Sequence, residues 1–184
     1  MQGRFANCLK GYRHQVSGFR SFENRREIER RIMIEQPDIH RRNGIATAIG
    51  ILSAVYAATF FFGALLHLGV KVPLGFAVVE EPVILPATIV EGLCGTALAV
   101  AAFAVLTRRN GAWTVATAAH AFALGGVLLG IAALAVGAGP STELNTIYHR
   151  VMVVALVAVL ALLLSPAGRT ALRRATSPTV IQSR

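Results

Sequence analysis

Four long apolar runs, separated by short breaks of charged residues and turn formers, set the plan of this chain. The runs cover about residues 45–68, 84–106, 112–136 and 147–164. The first holds about 24 residues, enough to cross roughly 30 Å of hydrocarbon with some tilt. The break from Thr107 to Gly111 is so short that the helices on either side must be antiparallel neighbours. The pattern predicts an all-α integral membrane protein, a four-transmembrane-helix up-down bundle over residues 44–166. A basic N-terminal tail (1–43) precedes it and a basic tail (167–184) follows.

The breaks refine the plan. Residues 69–83 combine Lys71, Pro73, Gly75, Glu80, Glu81 and Pro82 with apolar Val70, Leu74, Phe76, Val78 and Val79, which predicts a connection folded back over the bundle. Residues 137–146 are rich in turn formers, and Thr142 or Asn145 suits the N-cap of the fourth span. The purely apolar part of that span, Val151 to Leu164, is fourteen residues long. Tyr148, His149 and Arg150 are therefore expected at the membrane interface, Tyr148 in an aromatic belt and Arg150 snorkelling to headgroups. Ser165, Pro166 and Gly168 predict a helix stop. Gly126 and Gly130 form a small-xxx-small pair, expected to serve packing inside the bundle. In the N-terminal tail, Glu27 and Arg31, and Ile28 and Ile32, stand four apart, so Glu23–Glu35 reads as either a short surface helix or a frayed tail. No apolar stretch before residue 45 suits a cleavable signal, and Met33 offers a second start.

Composition supports this class. The chain is 54% hydrophobic and 15% charged, with a mean hydropathy of +0.59, too apolar for a soluble surface. The formal charge of +9 raises nucleic acid as a partner, but its distribution argues against it. Ten of the eighteen Lys and Arg lie in residues 1–43, two in the 107–111 turn and four in the C-terminal tail, whereas the other two connections contribute Lys71 and the interfacial Arg150. Basic charge concentrated at one side of the spans places both termini in the cytoplasm of a multi-pass cell-membrane protein. Its first partner is the lipid bilayer, with a homo-oligomer or a membrane partner protein in addition. Two cysteines, Cys8 and Cys94, supply neither a disulfide framework nor a CxxC metal site.

Candidate chemistry centres on Glu91, a carboxylate set inside the second apolar run. Such a group costs several kcal/mol unless it is protonated, paired or hydrated. At 1.5 Å per helical residue, His67 and His149 lie roughly 2–5 Å from the outer face and Glu91 roughly 8–11 Å. These three are at depths where they can meet, with Arg150 a further partner for Glu91 in an outer polar cluster and Glu80 and Glu81 as loop carboxylates above it. His120 lies on the order of 13–16 Å too deep to join and is level with Ser53 and Tyr56. It is expected to be a buried imidazole hydrogen-bonded to Ser53, Thr117 or Tyr56.

Three function classes fit. The first is a protein without a recognisable catalytic motif, working as a partner subunit or as a binder of a small apolar ligand. The second uses His67, Glu91 and His149 to hold a divalent transition metal, or the two histidines to hold haem, because imidazole and carboxylate are the ligand types these need. The third is proton-coupled transport by a homo-oligomer. No HExxH, nucleophile elbow or Gly-rich phosphate loop is present, so an enzyme is less favoured. The catalytic option left is a lipid-acting enzyme with Glu91 and a histidine as acid and base.

Overall fold

The computed structural model describes residues 26–27, 40–73, 75–76, 78–139 and 142–173. Its contacts divide the chain into Met1–Arg41 and Arg42–Arg184. In the first unit Arg26 and Glu27 are helical and exposed; the rest of the expected 23–35 helix lies outside the described residues.

Each apolar run is a helix. α1 (His40–His67), α2 (Leu85–Leu106), α3 (Ala112–Ala135) and α4 (Glu143–Leu164) are all long and apolar enough to cross a membrane. The 69–83 connection forms a two-residue antiparallel pair, β1 (Val72–Pro73) and β2 (Val78–Val79), with Val72 opposite Val79. Its tip does not fold back as expected. Phe76 is 89% exposed, and Val70, Val78 and Val83 are exposed too; the segment rejoins the helices at Glu81 to Ile84.

Three helices end in the same way. The last carbonyls of α1, α2 and α3 are taken by the Schellman pattern, in which the chain turns left-handed one residue past the cap. The bonds are Val70 N to Leu65 O, Arg109 N to Ala104 O and Ala138 N to Ala133 O, at 3.1, 2.9 and 2.9 Å. Gly69 and Gly137 occupy the left-handed position in two of them, but after α2 it is Arg108, at φ 55°. A side chain there is disfavoured. Arg108 is held by its guanidinium, which donates to Asn43 O (3.1 Å) and Thr47 Oγ1 (3.3 Å) at the start of α1. The positively charged turn is thereby tied to the first span.

The C-terminal stop opens a further helix, α5 (Pro166–Leu172). Ser165 breaks α4, so the final carbonyls of that helix lose their usual donors. The Ser165 hydroxyl donates to Leu162 O and accepts from Gly168 N, capping α5, while Trp113 Nε1 donates to Leu163 O at 2.8 Å. Arg169 and Arg173 lie over the Trp113 ring, 5.7 and 4.7 Å from its centroid. The tail is therefore helical through Leu172 and docked on α3 and α4.

The bundle is packed through small residues. Ala46, Ala57, Ala101, Ala104, Ala112, Ala116, Ala119 and Ala123 line its interior beside Ile49, Phe60, Leu98, Leu156 and Leu163. Several glycines act as slots for a facing side chain: Gly50 receives Leu106, Gly95 receives Phe61, Gly126 receives Cys94 and Val90, and Gly130 receives His149. The Gly126–Gly130 pair thus serves the interior, as expected, although it admits side chains rather than a neighbouring backbone. Large apolar residues such as Val55, Leu93, Phe103, Leu129 and Val154 face outward, and Ser53, His67, Glu91, His120 and Asn145 are buried. This apolar exterior suits hydrocarbon as solvent.

Substitutions at the helix ends, with one inside α2 as a control, are read by thermal unfolding in detergent. A methyl at Gly168 would collide with the Leu162 carbonyl, so G168A should destabilise by about 1–3 kcal/mol. G92A, with open space at its Cβ position, should stay within about 0.5 kcal/mol. At Arg108, both R108G and R108A lose the guanidinium bonds, but only alanine retains the strained φ, so R108A should unfold more readily than R108G by about 1 kcal/mol.

Candidate functional site

The site lies at the end of the bundle that carries the β1–β2 hairpin. One turn of α1 supplies Gly63 and His67, four residues apart on one face. The connection before α2 grips His67 twice: Ile84 N donates to the His67 carbonyl at 3.1 Å, and His67 Nδ1 donates to the Pro82 carbonyl at 3.2 Å. With Nδ1 so fixed, His67 Nε2 faces Glu91 of α2, 4.0 Å from Oε1. That spacing is too long for a hydrogen bond. His67 and Glu91 are 3% and 6% exposed.

Glu91 is inside the protein because Gly63 leaves room for it. A Cβ at Gly63 would stand 2.8 Å from Oε2 and 2.9 Å from Oε1, so any larger residue would displace the carboxylate. Glu91 Oε2 is buried and has no hydrogen-bond partner in the structure. Buried polar atoms are rarely left so, and an orphan of this kind points to a group that joins it.

The start of α4 forms the facing wall. Thr142 is the N-cap, accepting from Asn145 N at 3.1 Å. Its hydroxyl donates to the Glu81 carboxylate, with the oxygens at 2.8 and 2.9 Å. One turn on, His149 Nδ1 donates to the Asn145 carbonyl at 2.8 Å, and His149 Nε2 lies over Gly130 of α3. Tyr148 turns inward, its ring edge-on to Phe60 and His149, and its hydroxyl is buried without a partner. It is not part of an interfacial aromatic belt.

Two cavities meet at these residues. The larger, about 260 Å³, lies between α2, α3 and α4, walled by Ile84, Pro86, Ala87, Val90, Leu129, Ala133 and Leu134, with His67, Glu91, Asn145 and His149 as its polar part. The smaller, about 90 Å³, lies between α1 and the start of α4 and is lined by Thr59, Phe62, Gly63, Leu66, Glu81 and Tyr148. His67, Glu91 and Asn145 border both.

Of the residues singled out in the sequence, His67 and Glu91 come together, and His149 reaches the same cavity from another wall. Arg150 does not join them: it is exposed and borders neither cavity, so no Glu91–Arg150 pair forms. The loop carboxylates separate, Glu80 pairing in solvent with Lys71 and Glu81 entering the site. Among the described residues, no group of three or more His, Cys, Asp and Glu side chains is placed to hold a metal ion. The physical reason is the anchoring of the imidazoles. Pro82 O aims His67 Nε2 at Glu91, whereas Asn145 O seats His149 Nε2 against α3.

The inner residues form a separate group. His120 Nδ1 donates to its own helix at Ala116 O (2.8 Å), not to Ser53, Thr117 or Tyr56. Its Nε2 has no partner, and Tyr56 meets the ring edge-on at 6.3 Å. Ser53 bonds back to Ile49 O, and Tyr56 reaches Ala155 O. Gly63, Asn145 and Thr142 were missed as site residues. The signal for Gly63 was its place one turn before His67; for Asn145 it was the same spacing before His149.

Comparison with known protein families, with curated proteins and with solved structures found no match to this chain.

Proposed function

We propose that this protein is a membrane-embedded binder of a small, largely apolar molecule carrying one polar head, with no chemistry of its own. One observation carries the reading: a cavity of about 260 Å³ whose walls are apolar and whose polar lining is His67, Glu91, Asn145 and His149. Apolar walls with a few convergent polar groups are the usual make-up of a small-molecule site. An apolar cavity of about 150 Å³ already holds benzene, so this one suits a single ring with a short substituent or a chain of similar bulk. The distribution of Lys and Arg supports an orientation with both termini cytoplasmic and the site in the outer half of the bilayer.

Three measurements test this. Ala133 borders the cavity, so A133F should fill it and weaken binding of small ring compounds about tenfold or more, read by thermal shift and calorimetry on detergent-purified protein. Unchanged binding by a folded A133F would remove the cavity from the function. G63A, by pushing the Glu91 carboxylate aside, should leave the helical content intact and reduce affinity for polar-headed ligands more than for purely apolar ones. For orientation, Lys71 is exposed on the hairpin, and K71C should react with an impermeant thiol reagent added outside intact cells. Protection there, with labelling after lysis, would reverse the assignment.

A further inference from the structure

The polar end of the larger cavity is rich in acceptors: beside the Asn145 amide, which both donates and accepts, stand two imidazoles and a carboxylate. A carbonyl oxygen only accepts, so the ring nitrogen that meets it must carry the proton. Both histidines of the cavity meet a carbonyl through Nδ1, His67 at Pro82 O and His149 at Asn145 O. In the neutral imidazole that assignment leaves Nε2 with a lone pair, at His67 facing Glu91 and at His149 over Gly130, and all four of these residues line the larger cavity. Glu91 adds a carboxylate more than nine-tenths buried, with Oε2 unpartnered. Glu81 puts a second carboxylate on the adjoining cavity, and no Lys or Arg borders either one.

We propose that the head of the ligand is a protonated amine, an apolar ammonium seated against Glu91, His67 and His149. This rests on the cavity-binding reading and names the ligand class within it. A primary ammonium has three donors and no acceptor, which suits a lining that holds the Glu91 carboxylate and the acceptor atoms of His67, His149 and Asn145. It also brings the positive charge that the cavity lining lacks, forming a charge-assisted bond to a buried carboxylate. A carboxylate would bring a second negative charge against Glu91 and is disfavoured. The apolar part of the amine lies along Val90, Leu129 and Ala133.

The test uses one ring with three heads: cyclohexylmethylamine, cyclohexylmethanol and cyclohexanecarboxylate, titrated into the full-length protein in detergent at neutral pH. The amine should bind about tenfold or more tighter than the alcohol, and the carboxylate should bind weakest. In E91Q the preference for amine over alcohol should fall to within about threefold, and this comparison is read only on E91Q with wild-type helical content. The wild-type series stands without the variant. Equal binding of all three heads, lost in A133F, would overturn the amine assignment and leave the cavity reading in place. Tighter binding of the carboxylate would also overturn it. Absence of binding by every compound would remove both.

Discussion

The arrangement of this protein's polar interior depends on one interaction made three times: an imidazole Nδ1 proton given to a backbone carbonyl. His67, His120 and His149 all make it, to Pro82, Ala116 and Asn145. In hydrocarbon a donor has no water to turn to, so each ring secures the nearest carbonyl and is fixed in orientation and tautomer by it. The remaining nitrogen is then directed by the backbone. At His120 it faces the packed interior without a partner. At His67 it faces Glu91 and at His149 it lies over Gly130, residues that line the space left between α2, α3 and α4.

That space has its own cause. Helices in a bilayer gain little from burying apolar surface against one another and associate through close packing of small residues. The alanine-lined interior closes tightly along most of its length, and the glycines let single side chains enter the neighbouring helix surface. Near the hairpin end the entering groups are polar: the Glu91 carboxylate on Gly63 and the His149 ring on Gly130. The same device that packs Leu106 on Gly50 and Phe61 on Gly95 therefore builds the site.

The fold was legible because hydrophobic run length is a strong signal, and the four spans agree with the expected ones to within a few residues at most ends. Depth arithmetic set His120 apart from Glu91 because rise per residue does not depend on helix rotation, and His120 lines neither cavity at Glu91. What rotation decides was not legible. Arg150 and His149 are sequence neighbours at almost the same depth, yet about 100° of helical turn puts one in solvent and the other in the cavity. The inward turn of Tyr148 and the parting of Glu80 from Glu81 have the same origin. The α5 helix was hidden because Ser165 and Pro166 end one helix and begin the next, with the same residues signalling both.

Thr142 joins parts of the molecule that are far apart in sequence. Its hydroxyl hydrogen goes to Glu81 on the loop, its oxygen takes Asn145 N, and the carbonyl of Asn145 holds His149. The Thr142 hydroxyl thus ties the loop carboxylate to the first turn of α4, and the same turn offers the Asn145 carbonyl that holds the cavity imidazole. One short stretch, Thr142 to His149, therefore fastens the loop and also shapes the polar wall of the cavity, so both are set by the same turns of helix.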